Sequence, residues 1–208
     1  MNILLAHGSS DSRHAAQAEV LAEAASEELG EAIELHFLSC ERLPGEARVL
    51  PLLLGEGWHA KIDLARLSSQ SGCTMLPALS EHPDAIASMA GELAAGVREA
   101  KANALFGIYH FAGFEAVATA LYGLKKKFPR IALAALYSDP KLADVLQLLG
   151  EEQVKNLVVQ PLAVFEGRTM EHVRRVVADS GVEAVVGPVL SEHSGFAGFV
   201  ADCFRGKG

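Results

Sequence analysis

The chain has 208 residues, half of them hydrophobic, with 18 basic and 26 acidic side chains for a formal charge of −8. This composition suits a packed core and excludes a disordered chain, and the acidic excess argues against a nucleic-acid surface, whose affinity rests on neutralising phosphates. The longest apolar runs, such as VLPLLL at 49–54, are far too short to span a bilayer.

From the N-terminus, NILLAHG lacks a basic stretch followed by an apolar one, so a cytoplasmic location and no membrane partner are expected. ILLA at 3–6 reads as a buried strand. A helix over 14–29 follows, its small apolar face formed by Ala15, Ala18, Leu21, Ala22, Ala25 and Leu29. Ser12 or Asp11 caps it and Gly30 ends it. Strands are expected at 32–38, 49–54 and 73–79, with a short helix over 61–68 between the last two. An alanine-rich helix over 84–100 is expected to close a first domain. The second half repeats the plan, with strands at 104–109, 131–137, 156–165 and 184–190 and helices over 114–127, 138–152 and 169–180. The basic run Lys125, Lys126 and Lys127 suits the negative end of a helix dipole. Fully apolar strands alternating with helices indicate parallel sheets covered on both faces. The fold class is therefore α/β, with two duplicated domains at 1–100 and 101–208.

Direct matches support the duplication. PLLLGEG at 51–57 recurs as PLAVFEG at 161–167, 110 residues on, and PALSEH at 77–82 recurs as PVLSEH at 188–193, 111 residues on. A weaker match pairs the apolar run ending in His7 with the one ending in His110, an offset of 103. The second half then carries about seven extra residues, placed in the helix over 138–152. Its first-half counterpart is the loop-like SCERLPGEA at 39–47.

Ligands of open parallel sheets bind at the carboxyl ends of strands, so strand-end residues are the candidates, and the two edges are expected to face each other across a cleft. His7 precedes Gly8, Ser9 and Ser10, which offer space and free backbone N–H groups. His59 follows a glycine-flanked Glu56 where the chain passes from strand to helix. Glu81 with His82, and Glu192 with His193, also follow strands, and their repetition fits a turn or capping task. His36 belongs to a sheet face, His14 to an exposed first helical turn, and His172 to mid-helix. Cys40, Cys73 and Cys203 fit neither a disulfide framework nor a zinc pattern, and Cys203 is expected as a surface thiol. The phosphate-binding and nucleophile-elbow motifs are absent.

AHGSSDSRHAA at 6–16, PLLLGEGWHAKIDLARL at 51–67 and LPALSEHPDAIASMAGEL at 76–93 together resemble the sirohydrochlorin cobaltochelatase and ferrochelatase family in its long, duplicated form. Ser10 stands where that family's pattern has arginine, with Arg13 one turn later. The resemblance implies a pair of flavodoxin-like domains, a polycarboxylate tetrapyrrole as partner, and Co2+ or Fe2+ as metal substrate with no permanent cofactor. It implies a monomer or a homodimer as the working form. It carries His7 and His59 onto the two metal-handling positions. Glu81 is then a secondary catalytic candidate, and Gly8, Ser9, Ser10, Arg13, His110 and Arg168 are candidate tetrapyrrole contacts. Thr169 stands where His59 would recur, so only one copy keeps that imidazole. The resemblance implies one of two functions: a metal-inserting lyase, or a carrier or sensor of the same fold that binds the tetrapyrrole or the metal without catalysis.

Overall fold

A computed structural model describes residues 1–55, 57, 62–97 and 102–207. Two four-stranded, wholly parallel sheets form. In the first, β1 (Asn2–Ala6) lies between β2 (Ile33–Phe37) and β3 (Arg48–Pro51), and β3 pairs with β4 (Thr74–Met75). In the second, β5 (Asn103–Ile108) lies between β6 (Ile131–Ala135) and β7 (Leu157–Pro161), and β7 pairs with β8 (Ala184–Val186). The order 2-1-3-4 is thus repeated, and the duplicated flavodoxin-like plan is the observed fold. The central strands are buried at every position in β1 and β7, as expected for strands covered on both faces.

The helices are α1 (Ser12–Leu29), α2 (Leu64–Ser71), α3 (Pro83–Val97), α4 (Glu115–Tyr122), α5 (Leu142–Glu151), α6 (Arg168–Asp179) and α7 (Phe196–Arg205). Asp11 caps α1 through its side chain, and Gly30 ends it with φ 77°. The short helix expected over 61–68 is observed as α2, three residues later, because Gly72 at φ 66° provides the left-handed stop. Among the described residues no helix is long and apolar enough to cross a membrane.

Each compact unit is completed by a helix from the other half of the sequence. One unit comprises residues 1–82 and 194–208, the other residues 83–193. The expectation that the alanine-rich helix closes the first domain is corrected: α3 packs on α4 and β7 of the second unit. Its Gly91 lies so close to Leu124 that an added Cβ would stand 2.7 Å from the Leu124 side chain, so glycine allows the approach. Reciprocally, α7, which the sequence pattern did not yield, packs on α1 and β3 of the first unit. It buries Phe196, Val200, Ala201, Cys203 and Phe204 there. Arg48 donates to the Phe204 carbonyl and sits 6.0 Å from its ring, while Arg205 donates to the Glu28 carbonyl. Cys203 is buried rather than a surface thiol, and that burial pushes its thiol up to about 11.

The repeated SEH segments serve this exchange. His82 meets Phe199 edge-on at 5.5 Å, and its Nε2 is 3.9 Å from Cys203 Sγ. At the corresponding place in the other unit, His193 Nε2 is 3.2 Å from Glu92 Oε2 on α3. Each histidine clasps the incoming helix of its own unit.

Candidate functional site

His7 is the first residue beyond the buried stretch of β1. The Ala6 and Leu5 carbonyls just before it accept from Leu38 and Leu52 N–H, each at 2.9 Å, so both neighbouring strands fix the backbone up to that point. The ring stands exposed, and its Nδ1 lies 2.9 Å from the Gly8 carbonyl. A carbonyl only accepts, so Nδ1 carries the proton in that contact, and in a neutral ring Nε2 is then the basic nitrogen. Gly8 has φ 82°, a conformation that favours glycine and turns the chain immediately after the imidazole.

The next residues are committed to the start of α1. Ser9 Oγ accepts from Asp11 N–H at 3.1 Å, and Asp11 Oδ1 accepts from Arg13 N–H at 3.0 Å. The Arg13 guanidinium forks back onto the same carboxylate at 3.0 and 2.6 Å. Its charge is therefore engaged at the cap it helps to form, and Ser10 is exposed beside it. His14, expected as an exposed residue, is half-buried. Burial first, and the charge of His7 second, lower its affinity for a proton. His59 lies outside the described residues.

Hydrogen-bond register changes the pairing of the two halves at this position. Leu38 N–H reaches Ala6 O in the first sheet, and Leu136 N–H reaches Ile108 O in the second. Leu5 pairs with Pro51 as Gly107 pairs with Pro161. Ala6 therefore corresponds to Ile108, His7 to Tyr109, and Gly8 to His110. The offset of 103 that matched His7 with His110 is corrected to 102. Tyr109 is half-buried, and burial raises its phenol above the ordinary value while a hydrogen bond to Thr169 works the other way. Thr169 occupies the sequence position at which His59 would recur, so the second unit has a tyrosine and a threonine where the first sequence has two histidines.

His110 remains exposed at the same strand edge, 5.8 Å from the Tyr137 ring. Arg168 is exposed at the first position of α6 and forms no ion pair among the described residues. Glu81 Oε1 accepts from Ala78 N–H at 2.9 Å and closes the 3-10 turn Leu79–Glu81, a turn that recurs as Leu190–Glu192. Among the described residues no group of three or more His, Cys, Asp or Glu side chains is arranged to hold a metal ion.

Two flavodoxin-like sheets of the same strand order define the class, a duplicated α/β protein. The particular relationship is to CbiX: residues 110–205 match the CbiX family model. Solved structures extend the fold over the whole chain. CbiX, described as the terminal enzyme for biosynthesis of siroheme in denitrifying bacteria, is 18% identical with a TM-score of 0.80, covering 99% of this chain and 98% of that one. SirB from Bacillus subtilis with Fe3+ is 15% identical with a TM-score of 0.78, covering 99% and 94%. The sirohydrochlorin chelatase SirB from Bacillus subtilis subspecies spizizenii, in complex with cobalt, is 17% identical with a TM-score of 0.69, covering 99% and 92%. No curated protein matches the chain. The chelatase resemblance read from the sequence is borne out, although its motifs lie in the first half and the family model matches the second.

Proposed function

We propose that this protein is a lyase that inserts a divalent metal, cobalt or ferrous iron, into sirohydrochlorin or a closely related polycarboxylate tetrapyrrole. The observation that carries this reading is the exposed His7 ring at the carboxyl end of β1, oriented through Nδ1 on the Gly8 carbonyl. Insertion consumes a divalent ion and a free-base macrocycle and yields the metallated ring and two protons. The ion must therefore sit on ligands that exchange, and the pyrrole N–H groups need a base. A neutral imidazole does either task near neutral pH. His7 is assigned as primary ligand or base, and His59, on sequence grounds, as the second ligand. Glu81 enters only as a secondary proton acceptor, through the oxygen not engaged by Ala78. Arg168 is assigned to a peripheral carboxylate, which its planar fork binds with two hydrogen bonds. Cytoplasmic insertion without a permanent cofactor belongs to the same reading.

The test is an absorbance assay of sirohydrochlorin with Co2+, Fe2+ or Ni2+, with and without protein. Conversion to the metallated spectrum faster than the protein-free rate, for at least one ion, is the expected result. A shifted spectrum without faster conversion would replace the enzyme by a carrier, and no spectral change at all would remove the tetrapyrrole.

A further inference from the structure

The second unit has lost the strand-end imidazole at the position of His7, yet the same edge carries a group of rings. Tyr137 lies just beyond β6. Around it stand Tyr109 at a centroid distance of 6.0 Å, His110 at 5.8 Å and His172 of α6 at 6.3 Å. His172 is nearly parallel to it, at 12°. Behind them, Tyr109 stacks on Phe114 at 6.4 Å and 18°. The Tyr137 hydroxyl is 3.4 Å from Thr169 Oγ1, and His172 Nδ1 is 3.3 Å from an Arg175 guanidinium nitrogen. Three neighbouring rings and a hydroxyl contact therefore hold Tyr137, but it is still 52% exposed. A phenol ring flanked this way offers flat apolar surface, and its neighbours reduce the rotamer freedom it has to give up on binding.

We infer that Tyr137, backed by Tyr109 and flanked by His110 and His172, is a stacking shelf for the planar conjugated ring of the substrate. Arg168, next to Thr169 in sequence, takes a carboxylate at the ring's rim. The inference rests on the tetrapyrrole reading above and adds to it a binding residue. It gives the second unit the task of ring recognition rather than metal handling.

Binding of sirohydrochlorin in the absence of metal, followed by its fluorescence and by the visible circular dichroism induced on the bound ring, is the test. The wild type is expected to bind with an induced signal. Loss of one stacking partner corresponds to about a tenfold rise in Kd for Tyr137→Ala. Tyr137→Phe, which keeps the ring, is expected within about twofold of wild type. Because the side chain is half exposed, the thermal midpoint of Tyr137→Ala should stay close to wild type, and unfolding curves check this. Tight wild-type binding with an unchanged Kd and induced signal in Tyr137→Ala would overturn the shelf and leave the tetrapyrrole reading standing. Equal weakening by Phe and Ala would also overturn it, since the hydroxyl and not the ring would then matter. No binding by wild type would overturn the underlying reading, and the shelf with it.

Discussion

At equivalent places in two parallel sheets, one unit presents His7 and the other Tyr109. The first ring is exposed and rests through Nδ1 on the Gly8 carbonyl; the second is half-buried, and burial raises its phenol above the ordinary value. The strands leading to both positions are hydrogen-bonded in the same register. A duplicated α/β frame thus keeps its backbone while the residue beyond the strand changes chemistry, because the sheet needs the strand's apolar side chains and not the residue that follows it. The interiors differ as well. Leu50 of β3 corresponds to Gln160 of β7, and both are fully buried. Gln160 Nε2 donates to the Pro161 and Pro188 carbonyls at 3.1 and 2.8 Å, an internal polar bridge that the Leu50 side chain cannot make.

The comparison can be broken in order of size. His7→Ala should lower metal insertion about a hundredfold or more, the range in which a positioned acid, base or ligand acts. The thermal midpoint should hardly move, since the side chain is exposed, and parallel melting and insertion assays check both. Next are the exchanged helices. Phe196 is fully buried on α7, so Phe196→Ala should cost about 3–5 kcal/mol in urea unfolding. A chain ending at residue 193 should show no cooperative transition for the first unit, which would then lack the helix packed on α1 and β3.

A smaller effect is expected at Gly187. A Cβ there would stand 2.0 Å from Gln160 Oε1, so Gly187→Ala must displace a buried amide and should cost about 1–3 kcal/mol by the same measurement. Smallest is an alkaline effect confined to the first unit. Burial raises the Cys203 thiol to about 11 from a reference of 9.0. A raised folded value means that the stabilisation is complete below the unfolded value and is lost as pH rises through the folded one. Unfolding stability should therefore decline between about pH 9 and 11, and Cys203→Ala should flatten that limb of the curve.

Much of this frame was legible because fully buried strands read as uninterrupted apolar runs, and because PLxxxEG and SEH recur at nearly constant spacing. What escaped has physical causes. The pattern of α7 is plain in retrospect, with Phe196, Phe199, Val200, Cys203 and Phe204 at helical spacing, but its packing partners are α1 and β3, far away in sequence. The same distance hid the exchange of α3, since sequence order alone assigns a helix to the strand before it. His110 was matched to His7 by residue type, whereas hydrogen-bond register, which only the structure supplies, pairs Tyr109 with His7. The aromatic group around Tyr137 is drawn from three separate elements, and no local motif announces it. His7 itself was readable, because a histidine followed by glycine at the end of a buried strand is a local signal.

The most direct measurement compares two histidines, one from each unit, in the same insertion assay. His7→Ala and His193→Ala are each mixed with sirohydrochlorin and Co2+ or Fe2+, and the rate of metallation is followed by absorbance. His193 clasps Glu92 on α3, so its loss should leave the rate near wild type, while loss of His7 should bring it to the protein-free value. Equal rates in the two variants, or a wild-type rate in His7→Ala, would contradict the assignment of metal chemistry to the first unit.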